Sequence, residues 1–230
     1  MTDPRQSLLN LIATLSFKLG DFTLASGQRS DYYIDCRTTT LHAEGGRLAG
    51  LVFYDLIRDH MPTAVAVGGL TMGADPLVSN TASASAWALA DYNEILALSS
   101  ELALSSQLDL ATEDDPGPPP TLLHGFLVRK AEKTHGTGRL IEGFLSPGAP
   151  VVIVDDVCTT GGSTITAIEA ARASGMTVAG VLCLVDREQG GRLNIERALA
   201  EVPSDSDDDP PFLSVFTATD IRKAHIALQH

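Results

Sequence analysis

The chain has 230 residues, 44% of them hydrophobic, which suffices for one α/β domain with a packed core. Its formal charge of -13, from 29 acidic and 16 basic residues, opposes nucleic acid and anionic membranes as partners, so any phosphate must be met by a local basic patch. No apolar run approaches the ~20 residues of a membrane-spanning helix, "MTDPRQSLLN" lacks a basic-then-apolar leader, and Cys36, Cys158 and Cys183 are too widely spaced for a disulfide framework or a zinc site; a cytoplasmic location is expected.

In chain order, residues 4–19 predict an amphipathic helix, capped by Asp3, opened by Pro4, apolar at Leu8, Leu11, Ile12 and Leu15, and stopped by Gly20. "DFTLASGQRSDYYIDCRTTTL" then sets two short β-like runs, "FTL" and "YYID", around a Ser-Gly turn. A second helix is expected over 44–59, with Leu48, Leu51, Val52 and Leu56 on one side. "TAVAVGG" reads as a buried strand entering the glycine-bearing loop "GGLTMGADP", followed by a helix over about 74–90. "FLVRK", "VVIVDD" and "TVAGVLCLVDR" give three further strands. "STITAIEAARASG" is an amphipathic helix ended by Gly175 and followed by a strand over Val178–Val185; "FLSVFT" and a helix from about 219 close the chain. Buried strands alternating with helices predict an α/β fold, a mostly parallel central sheet flanked by helices, with ligands beyond the carboxyl ends of its strands.

Two stretches read as insertions into a core spanning 44–230. Residues 91–120 begin with weak helical periodicity and end in an acidic, proline-rich tract, and 203–211, "PSDSDDDPP", is a charge run between prolines. Both are expected to be solvated, mobile surface loops.

The chemistry concentrates in "VVIVDDVCTTGGST", residues 151–164. Four apolar β-branched residues, Val151–Val154, make a strand that should stop at the sheet's carboxyl edge. There the chain places two adjacent carboxylates, Asp155 and Asp156. Thr159, Thr160, Gly161, Gly162, Ser163 and Thr164 then lead into a helix, and their N–H groups, hydroxyls and the positive helix end form an anion cradle. The lysine of a nucleotide P-loop is absent, and so is the spacing G-x-G-x-x-G. A carboxylate accepts hydroxyl hydrogen bonds or holds metal-bound water but repels phosphate. The pattern therefore suits a ligand with vicinal hydroxyls on one side and one phosphate on the other, as in ribose 5-phosphate. A second element, "VRKAEKTHGTGRLIEG" (128–143), gathers Arg129, Lys130, Lys133, His135 and Arg139 beside three glycines and holds two of the chain's four lysines. A glycine-hinged cationic loop suits closure over a polyanion such as diphosphate. His42, His60, His124, His225 and His230 show no metal-ligand spacing.

The string 151–164 resembles the 5-phosphoribosyl-1-diphosphate (PRPP) signature of the type I phosphoribosyltransferases, and "RKxxKxHG" resembles the catalytic loop of the orotate phosphoribosyltransferase family. The resemblance implies that Asp155 and Asp156 contact the ribose hydroxyls and that Thr159–Thr164 bind the 5-phosphate. It assigns Arg129, Lys130, Lys133 and His135 to the diphosphate, with Lys133, Asp155 and Asp156 as the catalytic set. "FTLASGQRSDYYIDCRTTTLHAEG" is similar to the family's hood over the base, so that residues 1–43 form an N-terminal helix and hood. "VGGLTMGADPL" is similar to its diphosphate-facing loop, and "DREQGG" puts Arg187, together with Thr159, on the orotate. Also implied are Mg²⁺ carried by PRPP with a water bridge to Asp155, orotate and PRPP as substrates, and a homodimer whose loop 129–140 is shared across subunits. Orotidine 5′-monophosphate and diphosphate would be the products, a step of pyrimidine biosynthesis. Ala25 and Met72 stand where some members carry lysines. A purine phosphoribosyltransferase and a PRPP-sensing, nucleic-acid-binding regulator are the competing readings. Arg187, which a purine's lack of a carboxylate would leave idle, weighs against the first; the charge of -13 weighs against the second.

Overall fold

The apolar run Val151–Val154 lies at the centre of a six-stranded sheet in the computed structural model, which describes residues 3–23, 29–105, 117–130, 140–201 and 210–229. The chain opens with α1 (Pro4–Leu11), a π-helical turn (Ile12–Ser16), the strands β1 (Phe17–Thr23) and β2 (Arg29–Ile34), and the short helix α2 (Arg37–Thr40). Then come α3 (Ala43–His60), β3 (Ala66–Leu70), α4 (Ala74–Ser105), β4 (His124–Val128) and β5 (Ile141–Gly143). The remainder alternates strictly: β6 (Pro150–Cys158), α5 (Gly162–Ala173), β7 (Thr177–Asp186), α6 (Gly191–Ala200), β8 (Phe212–Thr217) and α7 (Ala218–Ala227). The main sheet runs β5-β4-β3-β6-β7-β8, parallel except for β5, and β1 and β2 form a separate antiparallel hairpin.

Strand alternation explains why the central strand is apolar without interruption. Val152 and Val154 pack into one core with Leu8, Ile12, Phe53 and Leu77 from α1, the π-helical turn, α3 and α4. Val151 and Ile153 pack into a second core with Ala167, Ile168 and Ile195 from α5 and α6. Covered on both faces, the strand needs no polar side. From β3 the chain moves outward to β4 and β5, and from β6 outward to β7 and β8, so the order reverses between β3 and β6. The turns that leave these two neighbours therefore flank a crevice at the carboxyl edge, the usual seat of a ligand in such sheets.

Four expectations change. The helix expected over 4–19 ends early, because Phe17–Thr23 pairs with Arg29–Ile34 and stacks Phe17 on Tyr32 at 5.6 Å; Gly20 lies inside β1, at a register irregularity, and is no helix stop. α4 continues beyond 90 to Ser105, into the first insertion, whose Leu, Ala and Glu content favours helix and whose Tyr92 hydroxyl donates to Gly117 O at 2.8 Å. The basic stretch 128–143 is no loop throughout: Ile141–Gly143 returns as β5, antiparallel to β4. Finally, β6 does not stop at Val154 but carries both aspartates within the ladder as far as Cys158. Residues 106–116 and 203–209, the remaining parts of the insertions, lie outside the described residues.

Candidate active site

The residues after β6 make the turn that the sequence predicts. Gly161 adopts φ 83°, a left-handed conformation that glycine takes without strain, and precedes α5 with no capping side chain. A Cβ on Gly161 would also lie 2.9 Å from Ile195 Cγ1 and 3.1 Å from Gly191 O, so the turn seats tightly on α6. Thr160 O accepts from Asn194 Nδ2 at 3.0 Å, a second tie to that helix. With no cap, the first-turn N–H groups of α5 keep their donor capacity and the positive helix end is open to an anion.

Alternation along β6 separates the two carboxylates. Asp155 points to the α5 side, 7% exposed, and accepts from Thr164 Oγ1 at 2.7 Å and from the Asp156 backbone N–H at 3.0 Å. Burial, reinforced by the neighbouring Asp156, pushes its carboxyl up to about 7, against the lowering effect of the Thr164 hydroxyl. Asp156 points to the opposite face, toward the hairpin; burial raises its carboxyl as well, and the Val157 N–H and the Arg37 guanidinium oppose the shift. A Cβ on Gly73, in the turn after β3, would collide with the Asp156 carboxylate, so glycine is what allows the two turns to close up.

Asp156 lines a cavity of about 270 Å³ at the reversal point between β3 and β6. Gly73, Thr159 and Arg187 form its floor and sides, and Tyr33, Asp35 and Arg37 come from the hairpin end of the chain. Arg187 follows β7, is 7% exposed and lies over the Tyr32 ring at 4.8 Å; its Nη2 is 3.4 Å from Ser30 Oγ, and its buried Nε has no hydrogen-bond partner. An unsatisfied buried guanidinium N–H is costly unless a ligand completes it. The turn that aims Arg187 is held at Glu188, whose φ of 60° is unusual for a non-glycine residue and is stabilised by Thr219 and Asp186. The cavity thus presents a carboxylate for hydroxyls, a planar cation for an anion and an aromatic wall, next to an uncapped helix start.

Of the residues singled out in the sequence, Asp156, Thr159 and Arg187 share this cavity, and Thr160, Gly161, Gly162 and Ser163 continue from its edge into the helix start. Asp155 and Thr164 are bonded to one another and buried, and Asp155 does not line this cavity while Asp156 does. The Thr164 hydroxyl correspondingly faces Asp155 and not the cradle. Arg129 pairs with Glu142 at 3.2 Å across the base of the β4–β5 hairpin, and Lys130 is exposed beside it; neither lines the cavity. Lys133, His135 and Arg139 lie outside the described residues, as does Ala25. Tyr33, Asp35, Arg37 and Gly73 were not singled out as site residues. The acid–base pair in "YYIDCR" at the end of a strand is the signal that could have found two of them.

A family model described as "Phosphoribosyl transferase domain" matches residues 126–208, the segment from β4 through the cradle and Arg187. Fold and site together define the class of the type I phosphoribosyltransferases. The orotate phosphoribosyltransferase of Rhodopirellula baltica is 38% identical over 188 residues, 80% of this chain and 81% of that protein. The crystal structure of the Mycobacterium tuberculosis H37Rv orotate phosphoribosyltransferase in complex with Fe(III) dicitrate superposes with a TM-score of 0.67 at 32% identity, over 95% of this chain and 99% of that one. The same mycobacterial enzyme solved with PRPP superposes at a TM-score of 0.63 and 28% identity, over 96% and 99%. This chain belongs to the orotate phosphoribosyltransferase family.

Proposed function

We propose that this chain transfers the 5-phosphoribosyl group of PRPP to orotate, releasing orotidine 5′-monophosphate and diphosphate. The observation that carries the proposal is the meeting, at one cavity, of Asp156, Thr159 at the start of the uncapped turn, and an Arg187 guanidinium whose Nε has no partner among the described residues. Asp156 accepts the ribose hydroxyls, and Asp155 supports it from behind through the Asp156 N–H. The turn and the first N–H groups of α5 receive the 5-phosphate. Arg187 and Thr159 take the orotate carboxylate and ring, under the hood contributed by residues 1–43. A purine would leave that guanidinium idle.

In the transfer, the bond from the anomeric carbon to the diphosphate oxygen breaks with its electron pair leaving on the diphosphate. A ring nitrogen of orotate bonds the carbon, and its proton passes to solvent or to the departing diphosphate. Charge on the leaving group is the main demand, and Arg129, Lys130, Lys133 and His135 answer it as loop 129–140 closes and excludes water. Orotate is already an anion at neutral pH, so no strong base is required. Among the described residues no three His, Cys, Asp or Glu side chains gather as a metal cage. The cavity does offer the hard oxygens of Asp35 and Asp156, which fits Mg²⁺ arriving on PRPP and held largely by phosphate oxygens and water. When bound, that ion neutralises part of the diphosphate charge. The loop is shared across a homodimer, each copy completing its partner's site.

The test is direct. Protein incubated with Mg²⁺, PRPP and orotate should deplete orotate's ultraviolet absorbance and release diphosphate in equal amount. Unchanged absorbance, with a purine base consumed in its place, would contradict the reading.

A further inference from the structure

The next inference rests on the phosphoribosyl transfer proposed above and concerns what receives the diphosphate. The turn from Thr71 to Gly73 carries no cation, and Met72 is 65% exposed where some family members carry a lysine. A cation reaches the same place from another element. Arg37 opens α2, directly after β2, and its side chain lies on the wall of two cavities. One is the cavity of about 270 Å³ that holds Asp156 and Thr159; the other, of about 460 Å³, lies beside Met72, Thr40 and Asp75.

Asp35 grips one edge of the guanidinium, accepting from Nε and from Nη2, each at 2.8 Å. This fork fixes the guanidinium plane and leaves Nη1 without a partner among the described residues. Arg37 and Asp156 line the same cavity, and the guanidinium opposes the rise that burial gives the Asp156 carboxyl. Since the diphosphate leaves from the carbon next to a ribose hydroxyl, a cation adjacent to the hydroxyl-binding carboxylate is within reach of it. The larger cavity offers more: the positive end of the long helix α4 starts beside it at Ala74. Asp75, an acid on that wall, has its carboxyl pKa raised by burial.

We propose that Arg37 binds the diphosphate of PRPP through its free Nη1 edge, in place of a lysine at position 72, and that Asp35 is the positioning residue that aims it. Nothing is transferred to or from Arg37: its fixed charge stabilises the electron pair arriving on the leaving oxygen.

Calorimetric titration of Mg²⁺–PRPP and, separately, of ribose 5-phosphate tests this, because only the first ligand has a diphosphate. Arg37→Gln should weaken PRPP binding by about 10- to 100-fold, the usual effect of losing one charged hydrogen bond, and change ribose 5-phosphate binding by less than about twofold. Adding Met72→Lys to Arg37→Gln should restore most of the lost PRPP affinity, which no purely structural role would predict. Arg37→Lys, which keeps the charge but not the fork, should fall between wild type and Arg37→Gln, and it serves should Arg37→Gln fail to fold. Unchanged PRPP affinity in Arg37→Gln, equal loss for both ligands, or no recovery with Met72→Lys would overturn the proposal. If the wild type turns over orotate while these outcomes fail, only the role of Arg37 falls. If the wild type does not turn over orotate, the underlying reaction falls instead.

Discussion

Asp155 holds its proton up to about pH 7, whereas an exposed aspartate releases it near the ordinary value of 3.8. A carboxyl with a raised folded-state pKa contributes stability that is fully present below the unfolded value and lost as pH climbs through the folded one. The window is therefore pH 4 to 7. The urea midpoint of Asp155→Asn, relative to wild type, should rise steadily between pH 4 and pH 7 and level off above it, since the amide cannot ionise; a constant offset across that range would mean that Asp155 is not buried as a proton carrier. Asp156 has the other task. Asp156→Asn should raise the KM for PRPP by about tenfold or more while the fold persists, as expected when a charged hydrogen-bond acceptor is lost. The adjacency of the two acids is plain in the sequence, but their division onto opposite faces is not, because it follows from β6 continuing past Val154 to Cys158. Arg187 was legible only through the resemblance of "DREQGG" to the family; the structure adds that it lines the cavity. Arg37 carries a fainter signal, its pairing with Asp35 two residues earlier at a strand end, which does not by itself tell how α2 turns its first residue toward the sheet's edge.

At the scale of elements, the cradle depends on one backbone conformation. Gly161→Ala places a side chain in the left-handed region and against Ile195, and should destabilise the protein by about 1–2 kcal/mol. Phosphate binding should weaken with it. A matched control lies at α7, where Thr217 and Asp220 form a capping box. Thr217→Ala should cost about 1 kcal/mol in a denaturant titration and leave PRPP affinity alone. Strands of the main sheet were legible because two buried faces make them continuously apolar. The short β5 was hidden, since three residues of "IEG" carry little pattern and gain their place only by pairing with β4. The start of the chain misled for a related reason: Leu15 and Phe17 continue the helical spacing, but Phe17 gains more by stacking on Tyr32 in the hairpin. Local preference yields to tertiary pairing in such cases.

For the whole molecule, the cavity at the sheet's carboxyl edge holds one strong cation on each side, Arg37 and Arg187, in a chain of net charge -13. In the dimer proposed above, so few local charges would leave the diphosphate to the basic stretch 129–140 of a second copy. Lys133→Ala should lower turnover by about 10²- to 10³-fold, the scale expected for one well-placed cation. Mixing Lys133→Ala with Arg187→Ala subunits should then recover about a quarter of wild-type turnover, because half the dimers are mixed and each mixed dimer holds one intact site. No recovery would show that each copy uses its own loop.

Recognition of the substrate at this edge of the sheet turns on where the sugar phosphate binds. A crystal soaked with ribose 5-phosphate should show the phosphate on the N–H groups between Thr159 and Thr164 and the ribose hydroxyls on Asp156. Electron density for the ligand anywhere remote from Asp156 and Gly161, or none at saturating concentration, would contradict it.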